Sequence, residues 1–300
     1  MTPTIPAKLK KNDTIGLLSV SGDIQEYQYI ENAINYFQSC GFKTVVSKNI
    51  TAKKNYLSGD DNIRADALNG FFADDSIDAI VCARGGYGAI RLLDKIDYES
   101  IKKHPKIFCG YSDITALQLM IYKKANLVTY NAPMAYSDFG RETTDFTKQS
   151  FWNVLKNGIT KIKIEKPKVY QSGKVKSTLW GGNLSTIQSL CGQDFIPDKD
   201  FIFITEDINE PVYKIDKMFT QLFNINQFKN NIKGLVLGDF SGIDNEEYFI
   251  DFLSDVSSEL NIPIIGGLKF GHEDDKLTFP IGTKVELDTD RATINFAIKE

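Results

Sequence analysis

The segment Ile107-Phe108-Cys109-Gly110-Tyr111-Ser112-Asp113-Ile114 runs an apolar stretch into a glycine and sets a serine where a helix should begin. In such a strand-turn-helix the hydroxyl is lifted out of the sheet beside the helix N-terminus. There unpaired N–H groups, that of Asp113 among them, can hold a developing oxyanion. The chemistry on offer is nucleophilic attack on a carbonyl. The same spacing has a plainer reading, because Ser and Asp are both favoured helix N-caps. No glycine closes the region, so the G-x-S-x-G pattern of α/β-hydrolases is not met.

A second segment, Ala83-Arg84-Gly85-Gly86-Tyr87-Gly88, also follows an apolar run. Its three glycines let backbone N–H groups, such as that of Gly86, approach an anion or a tetrahedral oxygen, or they simply make a tight turn. It matches neither the phosphate-binding G-x-x-x-x-G-K-[ST] loop nor the G-x-G-x-x-G dinucleotide fingerprint. Arg84 beside it can clamp a carboxylate through a bidentate pair, or can form a structural ion pair.

A nucleophilic serine needs a base, and the chain has two histidines. His104 lies in Lys102-Lys103-His104-Pro105 and reads as a solvated turn. His272, in Phe270-Gly271-His272-Glu273, is either a loop residue or a catalytic base. Glu206-Asp207, after the apolar run Phe201–Thr205, are either solvated caps or the source of a carboxylate that orients an imidazole.

Two chemical loops at strand ends require a sheet that presents them on one edge. Strands at Thr14–Val20, Lys43–Ser47, Ile77–Ala83 and Lys106–Cys109 alternate with helices at Gln25–Cys40, near Asn62–Ala73, after Gly88 and from about Asp113 to Lys124. Continuous apolar strands of this sort are buried on both faces of a parallel sheet, and ligands bind beyond their carboxyl ends. The lysine-rich stretch Lys156–Lys176 reads as a linker. Beyond it, strands at Phe201–Thr205 and Gly234–Leu237, a helix at Val212–Phe223 and a hairpin of Lys284–Asp288 with Arg291–Ile298 suggest a mixed α/β or small barrel-like unit. The expected domains are 1–160, carrying the serine, and 175–300, carrying the glutamate and histidine.

With 300 residues the chain is long enough for two domains, and 42% apolar with 25% charged residues is an ordinary globular balance, excluding disorder. A net charge of −4 with no dense basic block leaves no footprint for nucleic acid or an anionic membrane. The four cysteines lack C-x-x-C spacing and read as buried thiols in a reducing compartment. The N-terminus shows no signal-peptide core and no run is long enough to span a bilayer, so a cytoplasmic protein is expected.

Taken together, these blocks resemble the LD-carboxypeptidase family of serine peptidases, which includes muropeptide LD-carboxypeptidases and the microcin C immunity peptidases. The resemblance rests on Arg84-Gly85-Gly86-Tyr87-Gly88, Gly110-Tyr111-Ser112-Asp113, Gly181-Gly182-Asn183-Leu184, Glu206-Asp207 with Pro211 and Tyr213, and Gly271-His272 followed by Pro280-Ile281-Gly282. It implies a Ser112, Glu206, His272 triad without metal or cofactor, and an oxyanion site at the N–H groups of Gly86 and Asp113. The implied fold is an N-terminal Rossmann-like domain, similar to class I glutamine amidotransferases, with a C-terminal swivelling β/α domain. The active site would lie in the cleft between the domains of a homodimer. Two departures are present: Asn131-Ala132-Pro133 where His-Gly-Pro is usual, and Gln193 where Thr is common.

The implied reaction is release of terminal D-alanine from a murein tetrapeptide, a small peptide substrate met in peptidoglycan recycling. The rival substrate is a microcin-type peptidyl or aminoacyl nucleotide, for which Trp180 would stack on the base. Outside the enzyme class, a non-catalytic small-ligand module could use the same glycine loop.

Overall fold

A computed structural model describes residues 2–296. The chain divides into two compact units, one of Met1–Gly158 with Lys276–Ile281, the other of Ile159–Asp275 with Gly282–Glu300.

In the first unit, strands β1 (Thr14–Leu18), β2 (Lys43–Val46), β3 (Ala79–Cys82), β4 (Ile107–Gly110) and β5 (Thr129–Asn131) are parallel. Helices α1 (Tyr27–Ser39), α2 (Asp61–Ala73), α3 (Tyr98–Lys103), α4 (Thr115–Ala125) and α5 (Asp145–Asn157) accompany them. Every residue of β3 and β4 is buried, as the unbroken apolar runs require of strands covered on both faces. Helix α1 buries Ile30, Ala33 and Phe37, a single face at helical spacing. Asp60 caps α2 by accepting from the Ile63 N–H at 3.0 Å. A late segment, Phe279–Ile281 (β12 in chain order), adds itself antiparallel to β5, giving the order β12-β5-β4-β3-β1-β2.

The second unit is built on an eight-stranded mixed sheet. Its strands are β6 (Lys161–Lys163), β7 (Lys168–Gln171), β8 (Lys174–Asn183), β9 (Phe201–Glu206), β10 (Ile232–Leu237), β11 (Ile264–Gly266), β13 (Lys284–Asp288) and β14 (Thr293–Phe296), in the order β6-β14-β13-β8-β9-β10-β11-β7. Strands β8 to β11 form a parallel centre, and antiparallel strands flank it on both sides. Helices α6 (Leu184–Ser189), α7 (Val212–Phe223), α8 (Asn226–Asn231) and α9 (Glu246–Leu260) complete the unit. Helix α7 turns Val212, Ile215, Met218, Phe219 and Leu222 inward, an amphipathic pattern visible in the sequence.

Three expectations need correction. Lys156–Lys176 contains the passage from the first unit to the second, after Gly158, but it is not a structureless linker: it supplies the end of α5, both edge strands β6 and β7, and the start of β8. For the second unit the mixed α/β alternative holds and the barrel-like one does not, because its sheet is open, with two edges. After Gly88 comes only a 3-10 turn, Ala89–Leu92, with α3 following at Tyr98. The hairpin forms as β13 and β14, while Ala297 and Ile298 lie outside the described residues. Among the described residues no helix is long and apolar enough to cross a membrane.

Candidate active site

Because β1, β3, β4 and β5 are parallel, the loops that follow them all emerge at one edge of the first unit's sheet. Ser112 leaves β4 in a 3-10 turn, Ser112–Ile114, with φ of 61°. A serine in the left-handed region is uncommon and costs about 1–2 kcal/mol, so the surrounding structure must hold it there. Helix α4 starts only at Thr115 and has no side-chain cap. The capping alternative for this segment therefore fails. The Asp113 carboxylate is turned elsewhere, accepting from the Ser21 hydroxyl at 2.5 Å and from the Ala89 N–H at 2.8 Å. It ties the loop after β1 and the glycine loop to the serine turn. Burial raises its pKa, although both hydrogen bonds pull the other way.

The glycine loop lies against the serine. A Cβ built on Gly85 would stand 2.9 Å from Ser112 Cβ and 3.1 Å from its Oγ, so only glycine lets backbone come this near the hydroxyl. Gly86 follows at φ 119° and is exposed. Behind the loop the fully buried Arg64 donates to the carbonyls of Gly88 at 2.9 Å and Val20 at 2.6 Å, and pairs with Asp61 at 2.6 Å. Arg84 is half-buried. Its Nη1 donates to the Asp23 carbonyl at 3.2 Å and its guanidinium lies 5.7 Å from the centroid of the Tyr136 ring. It forms no ion pair with a carboxylate of the described residues, which removes the structural-ion-pair reading.

The second unit holds the imidazole and its acid. Glu206 ends β9, fully buried, and its Oε2 accepts from His272 Nδ1 at 2.9 Å, leaving Nε2 as the basic nitrogen of a partly exposed ring. Strand register places Asn183, the last residue of β8, opposite Glu206. Its Nδ2 donates to Glu206 Oε1 at 3.2 Å and to Asp207 Oδ1 at 3.1 Å. Burial raises the pKa of Glu206, the His272 hydrogen bond and charge oppose this, and the Asp207 charge adds to the rise. Asp207 does not cap in solvent. It is buried, accepts from the Ser185 N–H at 2.8 Å, and its pKa is also raised by burial.

Gly271, at φ 113°, makes the pairing possible. A Cβ there would meet Glu206 Oε2 at 2.5 Å. Gly271→Ala is expected to push the carboxylate off the ring, lowering kcat on the order of a hundredfold with little change in KM. Steady-state kinetics on a variant whose melting curve shows it folded checks this; kcat within a factor of three of wild type would contradict it.

Trp180 must be corrected as a substrate residue. It is fully buried in the second unit, its ring 5.0 Å from Phe201 and 5.9 Å from both Phe195 and Phe203 by centroid, with Phe228 at 6.3 Å. An indole so enclosed has no face left for a nucleobase. His104 is not simply solvated but lies 2.8 Å from Asp75. Of the four free cysteines, Cys82 and Cys109 are buried while Cys40 and Cys191 are only partly so. Ser21, Arg64 and Asn183 act on the site without having been singled out; only Asn183 carried a signal, in its Gly-Gly-Asn-Leu block.

Models of the LD-carboxypeptidase N-terminal and C-terminal domains match residues 15–132 and 176–287. The chain belongs to the LD-carboxypeptidase family. A probable murein peptide carboxypeptidase of Bacillus subtilis is 31% identical over 297 residues, covering 96% of this chain and 92% of the relative. Among solved structures, an MccF-like protein from Bacillus anthracis has a TM-score of 0.91 at 28% identity, covering 99% of this chain and all of that one. The muramoyltetrapeptide carboxypeptidase of Oxalobacter formigenes has a TM-score of 0.84 at 28% identity, over 94% and 97% of the two chains. Membership in this peptidase family agrees with the α/β, two-domain architecture described above.

Proposed function

We propose that the chain is a serine carboxypeptidase that hydrolyses an L,D-amide bond and releases terminal D-alanine from a murein tetrapeptide. The observation that carries the reading is the left-handed backbone of Ser112, at φ 61°, with Gly85 against its side chain. A serine held so is exposed for attack beside N–H groups able to take the oxyanion. In this reading His272 Nε2 removes the proton as Oγ bonds to the scissile carbonyl. The same proton passes to the departing D-alanine nitrogen as the C–N bond breaks. Water, deprotonated by His272, then cleaves the acyl-enzyme, while Glu206 holds the imidazole in the required tautomer and stabilises the imidazolium. The N–H groups of Gly86 and Asp113 receive the oxyanion, and Arg84 the terminal carboxylate. Two relatives named for murein peptide and muramoyltetrapeptide substrates support the choice of peptide. The reading includes a cytoplasmic homodimer; free thiols at all four cysteines suit a reducing compartment.

Incubating the purified chain with a murein tetrapeptide, and separately with an aminoacyl sulfamoyl adenosine, tests this by mass spectrometry of the products. Tripeptide plus free D-alanine is the expected result. Cleavage of the adenosine conjugate alone would transfer the reading to the microcin-type substrate, and cleavage of neither would overturn it.

A further inference from the structure

Two guanidinium groups converge on one aromatic ring beside the serine turn. Arg84 Cζ lies 5.7 Å from the centroid of Tyr136, and Arg141 Cζ lies 5.4 Å from the same centroid and 4.1 Å from that of Tyr29. The two cations therefore lie no further apart than those first two distances combined. Tyr136 is fixed to the site's own loop, its N–H donating to the Ala83 carbonyl at 2.8 Å. Ala83 and Arg84 lead directly into Gly85, the residue against Ser112. Tyr136 and Phe139 sit in a single π-helical turn, Ala135–Phe139, and Arg141 emerges just past it. Turns of this type are rare and recur at functional sites.

Like charges placed together are ordinarily separated or neutralised. Here Asp23 pairs with Lys53 at 2.8 Å and Asp138 with Lys276 at 3.1 Å, while Glu142, the chain neighbour of Arg141, does not pair with it. Among the described residues neither Arg84 nor Arg141 pairs with any carboxylate. Stacking on tyrosine holds each head in place; Arg84 gives Nη1 to the Asp23 carbonyl at 3.2 Å, and the remaining N–H groups of its fork and the fork of Arg141 can take an anion. Two such forks suit a ligand with two carboxylates.

We propose, resting on the murein-peptide reading, that Arg141 selects the third residue of the stem, favouring diaminopimelate over lysine. With Arg84 on the carboxylate of the terminal D-alanine, Arg141 is assigned the carboxylate at the far end of the diaminopimelate side chain, the one carboxylate that the lysine peptide does not share. Lysine ends in the same ammonium but lacks that carboxylate, so it gives Arg141 no acceptor to pair with and leaves only the repulsion between cations. The specificity is thus electrostatic, and it resides in a residue that touches neither the scissile bond nor the oxyanion.

The test compares kcat/KM for two tetrapeptides differing only in diaminopimelate or lysine at position three, in wild type and in Arg141→Ala. Arg141 is exposed, so the variant is expected to fold normally. Wild type should prefer the diaminopimelate peptide by about ten- to hundredfold, the range of a charge-assisted hydrogen bond. Arg141→Ala should bring the ratio close to one, mainly through KM, and Arg141→Lys should restore part of it. Equal cleavage of both peptides by wild type, or an undiminished preference in Arg141→Ala, overturns the assignment of Arg141 while leaving the carboxypeptidase reading intact. If wild type cleaves neither peptide, the carboxypeptidase reading falls and this inference with it.

Discussion

Ser112→Ala is expected to lower kcat by about 10⁴- to 10⁶-fold while leaving substrate affinity and fold essentially unchanged. The argument runs through the backbone. Ser112 sits at φ 61°, and alanine accepts that conformation at much the same cost as serine, so the exchange removes the hydroxyl and little else. Asp113 still accepts from Ser21 and Ala89, and Gly85 still approaches the turn, so the proposed oxyanion donors stay where they are. What disappears is the acyl-enzyme, leaving the residual catalysis that positioning and electrostatics supply. Ser112→Gly extends the test. It loses the same hydroxyl but relieves a left-handed strain of about 1–2 kcal/mol, partly offset by glycine's greater chain entropy, and should melt no lower than Ser112→Ala. Single-turnover kinetics, labelling by a fluorophosphonate and a melting curve check all three statements. A folded Ser112→Ala protein turning over within tenfold of wild type would end the nucleophile assignment.

Much of this arrangement was legible in the chain because the relevant signals are local. An unbroken apolar strand, a glycine and then Ser-Asp describe the β4 turn without reference to anything distant, and α7 is written in its own periodicity from Val212 to Phe223. The failures are of a different kind. Strands β6 and β7 terminate the second sheet at its two edges, where one side of each ladder is unpaired and lysines are favoured. Their composition therefore reads as linker: in β6 only Ile162 of Lys161-Ile162-Lys163 is buried. Strand β12 is three residues long and joins β5 from more than a hundred residues away, a pairing no local pattern announces. Trp180 carries no mark of its burial, because Phe195, Phe201, Phe203 and Phe228 reach it only in the folded unit.

The site residues divide along the same line. Ser112 and Glu206 were readable as chemical types at strand ends, and His272 as one of only two histidines. The groups that hold them were not. Asp113 looked like a cap and is a tie among three loops. Arg64 lies in α2, and its guanidinium is buried against the carbonyls of Val20 and Gly88. A buried charge of this kind is tolerable only when it is partnered: Asp61 is one turn away on the same helix, but the two carbonyls come from distant loops, which is why the role of Arg64 appears only in three dimensions.

Glu206→Gln should be nearly as damaging as loss of the serine, on the order of 10⁴-fold in kcat, although it changes one oxygen to a nitrogen. Asn183 decides the outcome. Its Nδ2 donates to Glu206 Oε1 at 3.2 Å, so a glutamine satisfies Asn183 only by turning its amide oxygen that way. The amide NH₂ then faces His272 Nδ1, which must become an acceptor. The ring hydrogen moves to Nε2, and Nε2 can no longer take the proton from serine. KM should change little, since no substrate contact is removed. Stability should move oppositely to activity. Burial raises the pKa of Glu206, so between its ordinary and raised values the folded state binds more protons than the unfolded chain. By linkage, that group's contribution to stability rises as pH falls through the raised pKa and is absent above it, where the buried charge is retained. Activity falls over the same descent, as the carboxylate that orients His272 is lost. The glutamine variant lacks this titration, while Asp207 titrates in both proteins, so wild type should lose stability relative to the variant as pH is raised toward neutrality. Denaturant melts of both proteins across that pH range, alongside kcat, measure the two trends. A glutamine variant within tenfold of wild-type kcat would show that the tautomer of His272 is set by something other than Glu206.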